Sequence, residues 1–364
     1  MVKLIDLIKQ EGVPERKNLS DKGGLSFKTI LASEASCEVH SPEDLKRPSE
    51  KKQKQGFLLY EKMCSFIRDI TEKIAKNEGF ALERGFELIA EALNPPENIE
   101  LLYYWALHPR EVTDFLIRKP VNVSVFSLKM SRGLGYSRDQ QLELCIAAML
   151  LDIGMGMISQ ELPHKEGSFT PQELEDIQKH PIHGYEKILI LGENYQWLAD
   201  IVLQTHERED GSGYPLGLKG KDIHEYAKII GVADTFEALT HYRPYRRQLS
   251  QAVKEIIGSQ KHLFSYHILK VFIQEMTVFP ISSYVKLNSG VIGKVITTSK
   301  DHPFRPTIEI IFDAEGKKVN GHKLIKLREA PLLHIIAPAD ELEANQYTTG
   351  EQWQEAEGIR ALGV

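Results

Sequence analysis

Apolar residues recur at helical spacing from Phe57 almost to Phe279, and at Pro280 the period changes to an alternation of two. A helix stripe and a half-buried strand require different periods, so this change divides the chain into a large α part and a small β part. In the first run Leu59, Met63, Phe66, Ile67, Ile70 and Ile74 fall on one helix face, and a second helix closes at Pro95-Pro96. Further helices are expected over 121–133, 138–151, 171–191, 195–206, 225–241, 249–258 and 265–278. Beyond Pro280, Tyr284 to Leu287 and Val291 to Thr298 flank Asn288-Ser289-Gly290 as a hairpin, and Thr307 to Phe312 precedes an Asp-Ala-Glu-Gly turn.

The expected organisation is a loosely ordered arm over 1–56, a helical segment over 57–104, an all-α domain over 105–279, a β appendage over 280–337 and a flexible tail over 338–364. Within the arm, Lys17 to Gln55 is polar, mixes Gly with Pro, and ends in the basic run Lys51 to Lys54, which reads as a solvated linker. A hydrophobic fraction of 42% over 364 residues gives ample material for a packed core. The formal net charge of -6 provides no general positive field, so a nucleic acid partner is not expected and an anionic ligand needs a local pocket. Cys37, Cys64 and Cys145 are scattered, without metal-type CxxC spacing, and fit a reducing compartment. The opening MVKLIDLIKQEG carries charges through its apolar run, and no stretch approaches the roughly 20 apolar residues of a membrane span. A cytoplasmic protein is the expectation.

The most informative segment is THEREDGSGYPLGLKG, Thr205 to Gly220, where a His-Glu pair at a helix end runs into a Gly-rich loop with an aromatic. Gly211, Gly213 and Gly217 permit positive φ and close approach of backbone to a ligand, Tyr214 offers a stacking face, and Pro215 stiffens the turn. The segment resembles the HHExxDGxGYPxGLxG signature of HD-GYP domains. Other elements of that family follow in order: Ile146 to Ser159 resembles the "HD" helix end, His180-Pro181-Ile182-His183-Gly184 the HPxxG motif, Gly231 to Thr240 the VADxFDALT helix, and Arg243-Pro244-Tyr245-Arg246 the RPYR motif. The match covers roughly residues 105 to 278, and the β segment resembles the one that commonly follows this domain.

The resemblance implies an HD-superfamily helical bundle with an N-terminal helical extension, and a small C-terminal antiparallel β appendage. In the family, His and Asp side chains from separate helices bind divalent metals, usually iron or manganese, and a metal-bridging hydroxide attacks a phosphodiester of cyclic di-GMP. Carried over position by position, the ligand set falls on Asp152, His180, His206 and Asp234. The remaining ligand positions are altered: the His before the Asp of "HD" is Leu151, the first His of HHE is Thr205, and the His before the Val-Asn-Val run is Lys119. A Glu that some members supply is Phe115, and the Lys of the HDIGK stretch is Met155. Leu and Phe carry no lone pair, Met offers a soft thioether, and Lys119 brings positive charge where a cation would sit. His183, one turn from His180, is a further candidate ligand. His108, His164, His241 and His262 read as surface or hydrogen-bonded residues.

Only a remnant Asp152 then stands for the catalytic apparatus, with at most one divalent ion, iron or manganese. The nucleotide side is better preserved, with Gly213, Tyr214, Pro215, Lys219, Arg243 and Arg246 as ligand contacts. The leading expectation is a degenerate HD-GYP protein that binds cyclic di-GMP in signalling, with lost or weak phosphodiesterase activity and with a protein signalling partner or a homodimer as its assemblies. An active metal-dependent phosphodiesterase and a protein-interaction scaffold with a vestigial pocket are the alternatives.

Overall fold

The computed structural model describes residues 50–107, 115–158, 169–240, 249–276, 279, 283–299, 302, 304–319 and 321–339. The periodic apolar segments form α1 (Glu50–Ala75), α2 (Glu83–Leu93), α3 (Asn98–Leu107), α4 (Phe115–Gly133), α5 (Arg138–Met149), α6 (Pro171–Ile177), α7 (His180–Leu189), α8 (Gln196–Gln204), α9 (Glu225–Thr240), α10 (Leu249–Ile257) and α11 (Tyr266–Glu275). Local chemistry sets several starts. Ser137 with Gln140 and Thr170 with Glu173 close reciprocal capping boxes at the starts of α5 and α6. No helix among the described residues is long and apolar enough to cross a membrane.

Three boundaries differ from the sequence expectation. Helix α1 begins at Glu50, so the basic run Lys51 to Lys54 is helical and not part of a linker. Tertiary docking extends it: Trp105 Nε1 donates to the carbonyl of Gln53, and the Phe57 and Trp105 rings meet at 4.9 Å. Helix α4 starts at Phe115 and continues through Pro120, which is itself buried. The expected helix over 171–191 is two helices, α6 and α7, with Pro181 in the first turn of the second. A proline has no N–H to give the carbonyl four residues back, so the ladder breaks there.

The helical core is tied together by aromatic edges. Phe126 of α4 packs on Tyr103 of α3 at 5.8 Å and on Phe236 of α9 at 5.1 Å, and Phe236 packs on Phe272 of α11 at 5.3 Å. Beneath this row α4 and α9 share a polar seam, where buried Asn122 donates to Glu237 at 3.1 Å and accepts from the Tyr60 hydroxyl at 2.7 Å. The chain divides into two compact units, a helical one over Arg47–Met276 and one that includes Thr277–Val364 and contains the strands.

In the second unit β1 (Tyr284–Leu287), β2 (Ile292–Thr297), β3 (Thr307–Phe312), β4 (Leu324–Lys326) and β5 (Ile335–Ala339) form one antiparallel sheet of order β4-β3-β2-β1-β5. The first three strands lie where the alternation places them. Strand β5 pairs with β1 and runs past Pro338, where the tail was expected to begin. A proline fits there because β5 is an edge of the sheet. Val285, Leu287, Val295, Ile308, Ile310 and Phe312 are buried, as alternation on a one-sided sheet requires.

Candidate functional site

Asp152 follows α5 and opens the 3-10 turn Ile153–Met157. Gly154 in that turn lets α7 cross at backbone distance: a Cβ there would collide with the His180 carbonyl oxygen and lie 2.6 Å from the Gly184 nitrogen. His180, the first residue of α7, is thereby set beside Asp152. The break before Pro181 has a second consequence. The Ile177 carbonyl, which Pro181 cannot satisfy, accepts from Nδ1 of His180 at 2.7 Å, so Nδ1 carries a proton and Nε2 is the nitrogen turned to the site.

His206 follows α8, and its Nε2 lies 3.0 Å from His180 Nε2. Two ring nitrogens at this distance need a proton or a shared cation between them. Asp152 Oδ1 is 3.3 Å from His180 Nε2 and 3.8 Å from His206 Nε2. Asp152, His180 and His206, all buried, offer ligand atoms within 4.8 Å of one another. Burial, opposed by Asp152, lowers the His206 pKa to about 4, so this imidazole is neutral at pH 7 and able to ligate. Two histidines and one carboxylate suit a divalent iron or similar ion with open coordination positions, and these three residues are the ones that would hold it.

The other side of the site is filled differently. Lys119 Nζ lies 2.8 Å from Asp152 Oδ2 and 2.9 Å from Asp234 Oδ1. Burial opposes the charge on Lys119, but the two carboxylates outweigh it and hold its pKa well above the ordinary lysine value. Burial likewise works against ionised Asp152 and Asp234, and the ammonium prevails by holding both below the usual carboxylate range. A metal pair bridged across these carboxylates does not fit while the ammonium stands between them. Asp234 faces His206 Nδ1 at 3.5 Å through its other oxygen, yet lies outside the compact triad.

The remaining candidates separate into those at the site and those away from it. His183 turns toward Glu186, 3.6 Å away, with 31% of its side chain exposed. Leu151 is fully buried, and the Thr205 hydroxyl donates to the Val202 carbonyl at 3.0 Å. Tyr214 stacks on His206, rings 5.0 Å apart and 8° from parallel, so one of its faces is already committed. Gly211 and Gly217 adopt φ of +81° and +66°, whereas Gly213 is needed for close approach, since a Cβ would sit 2.5 Å from the His206 carbonyl oxygen. Pro215 is half-buried in the same loop, and Lys219 is exposed with its stem along Gly211. Arg243 and Arg246 lie outside the described residues.

Sequence reasoning did not single out Glu207. It is 3% exposed, and its carboxylate accepts from the backbone N–H groups of Leu216, Gly217 and Leu218 at 2.7, 3.1 and 2.9 Å. It fastens the aromatic loop beneath His206 and contributes no ligand atom to the triad. An acidic residue directly before a Gly-rich loop was the available signal.

The helical bundle with a buried His/Asp cluster at its helix ends defines an HD domain, and residues 109–266 match that family. Residues 284–346 match a KOW domain associated with HD domain. By these matches the chain is similar to HD domain proteins. A cyclic di-GMP phosphodiesterase of Pseudomonas aeruginosa is 26% identical over 80% of this chain and 70% of its own length. One of Thermotoga maritima is 35% identical over 43% of this chain and 44% of its own. A 3'3'-cGAMP-specific phosphodiesterase of Vibrio cholerae is 30% identical over 48% and 40%. An HDG"Y"P protein from Bdellovibrio bacteriovorus shares the fold, with a TM-score of 0.50 and 17% identity over 62% of this chain and 73% of that one.

Proposed function

We propose that this chain is a cyclic di-GMP signalling module of the HD-GYP type that binds the dinucleotide and has lost, or keeps only weakly, phosphodiesterase activity. The observation that carries this reading is Lys119, whose ammonium stands between Asp152 and Asp234 where a bridging ion would be needed. What supports binding is the ordered loop. Glu207 holds it, Tyr214 in it is the ring proposed to meet a base, and Lys219 stands exposed for a phosphate. Arg243 and Arg246 are proposed as the remaining phosphate contacts, and the protein as cytoplasmic.

A second reading, a slow phosphodiesterase with one ion, is favoured by the intact triad of Asp152, His180 and His206. A divalent ion held there would offset negative charge on a phosphodiester and acidify a bound water. The chain's own part would be to orient the ester through Tyr214 and the loop.

Calorimetric titration of cyclic di-GMP into chelator-treated protein, paired with a hydrolysis assay in iron or manganese, separates these readings. Saturable binding with hydrolysis absent or barely above background supports the first. Hydrolysis to linear product that is abolished by Asp152→Ala establishes the second. No binding of cyclic di-GMP or of 3'3'-cGAMP overturns both and leaves the scaffold.

A further inference from the structure

We propose that the Lys119 ammonium is a built-in cation that takes the place of a divalent ion between Asp152 and Asp234, and that its removal turns these carboxylates into a second cation site. The proposal rests on reading the site as a reduced metal centre but not on dinucleotide binding.

The geometry is that of an ion site with nitrogen at its centre. One atom, Nζ, contacts an oxygen from each carboxylate at 2.8 and 2.9 Å. Both aspartates are more than nine-tenths buried, and Asp234 Oδ1 has no directed hydrogen bond beyond this ion pair. Asp152 divides its two oxygens, Oδ1 toward the histidines and Oδ2 toward Lys119, as a ligand shared between two cation positions would. A divalent ion sits ~2.0–2.2 Å from carboxylate oxygen, so the carboxylates need close in by less than ~1 Å each to accept one.

Electrostatics gives the direction of the effect. Two carboxylates against one ammonium leave a single negative charge among these three side chains. One divalent ion at the triad over-compensates it, and a second beside the ammonium would meet repulsion at contact distance. Without the ammonium, two buried negative charges stand uncompensated in the metal-free protein, and the cation that repels an ion from Asp152 Oδ2 and Asp234 Oδ1 is gone.

The full-length protein and its Lys119→Ala variant are dialysed against manganese, and bound ion is counted by elemental analysis alongside melting temperature with and without chelator. We expect wild type to hold no more than one ion per chain and Lys119→Ala to hold one more than wild type. In chelator the variant should melt several degrees below wild type and recover on saturation with manganese, while Lys119→Arg, which keeps the charge, gains no ion. A variant that folds only with manganese also supports the proposal. Two ions on wild type, or no gain in Lys119→Ala, overturns it. If Lys119→Ala folds in neither condition, Lys119→Ala/Asp234→Asn decides. Folding of that double variant without metal sustains the counter-ion role, and its failure assigns Lys119 to packing instead. Nucleotide titration is read separately, so loss of that reading leaves the ion count standing.

Discussion

Glu207, buried under the loop, and Lys119, half-buried between two aspartates, act in opposite ways. Glu207 neutralises no ion; it collects three backbone N–H groups that would otherwise lack a protein partner in a glycine-rich turn. Glu207→Gln would replace one acceptor oxygen with a donor facing those groups. We expect a loss of roughly 1–3 kcal/mol, at roughly 2–4 °C in melting temperature for each kcal/mol in a unit of this size. Thermal melts check it, and an unchanged melting temperature would show that the loop does not depend on this carboxylate. The sequence displayed the His-Glu pair, but not the division of labour within it. Which side chain turns inward at a helix end depends on where the following loop returns, and that is a long-range contact.

At the scale of elements, the site depends on how α7 meets the turn after α5. Pro181 ends the preceding helix and leaves the Ile177 carbonyl to His180, while Gly154 allows the crossing. Both residues were visible in the motifs, yet the expected single helix over 171–191 hid the break just before Pro181. Gly154→Ala forces a methyl group into the His180 backbone, where it cannot be relieved by a side-chain rotation. Overpacking of this kind costs about 1–3 kcal/mol, and it would push His180 away from Asp152. A lowered melting temperature together with loss of metal uptake at the triad is the expected result. Normal metal uptake by a destabilised variant would show that the triad survives a shifted α7.

For the whole molecule, two compact units on one chain lead to the expectation that the helical unit folds without the strands. A fragment spanning residues 47–276 should give a helical circular dichroism spectrum and a cooperative melt. A fragment that aggregates or melts without cooperativity would mean that the strand-bearing unit completes its core. The sequence by itself determined the change from helices to strands, the order of the HD-GYP motifs, and which side chains at the ligand positions keep lone pairs. These are local properties, carried by periodicity and residue type. Only the tertiary structure decided that Asp152, His180 and His206 close into a triad, that His183 turns to the surface, and that the Lys119 ammonium reaches both Asp152 and Asp234. Those outcomes depend on the facing of helices far apart in the chain, set by packing in the core.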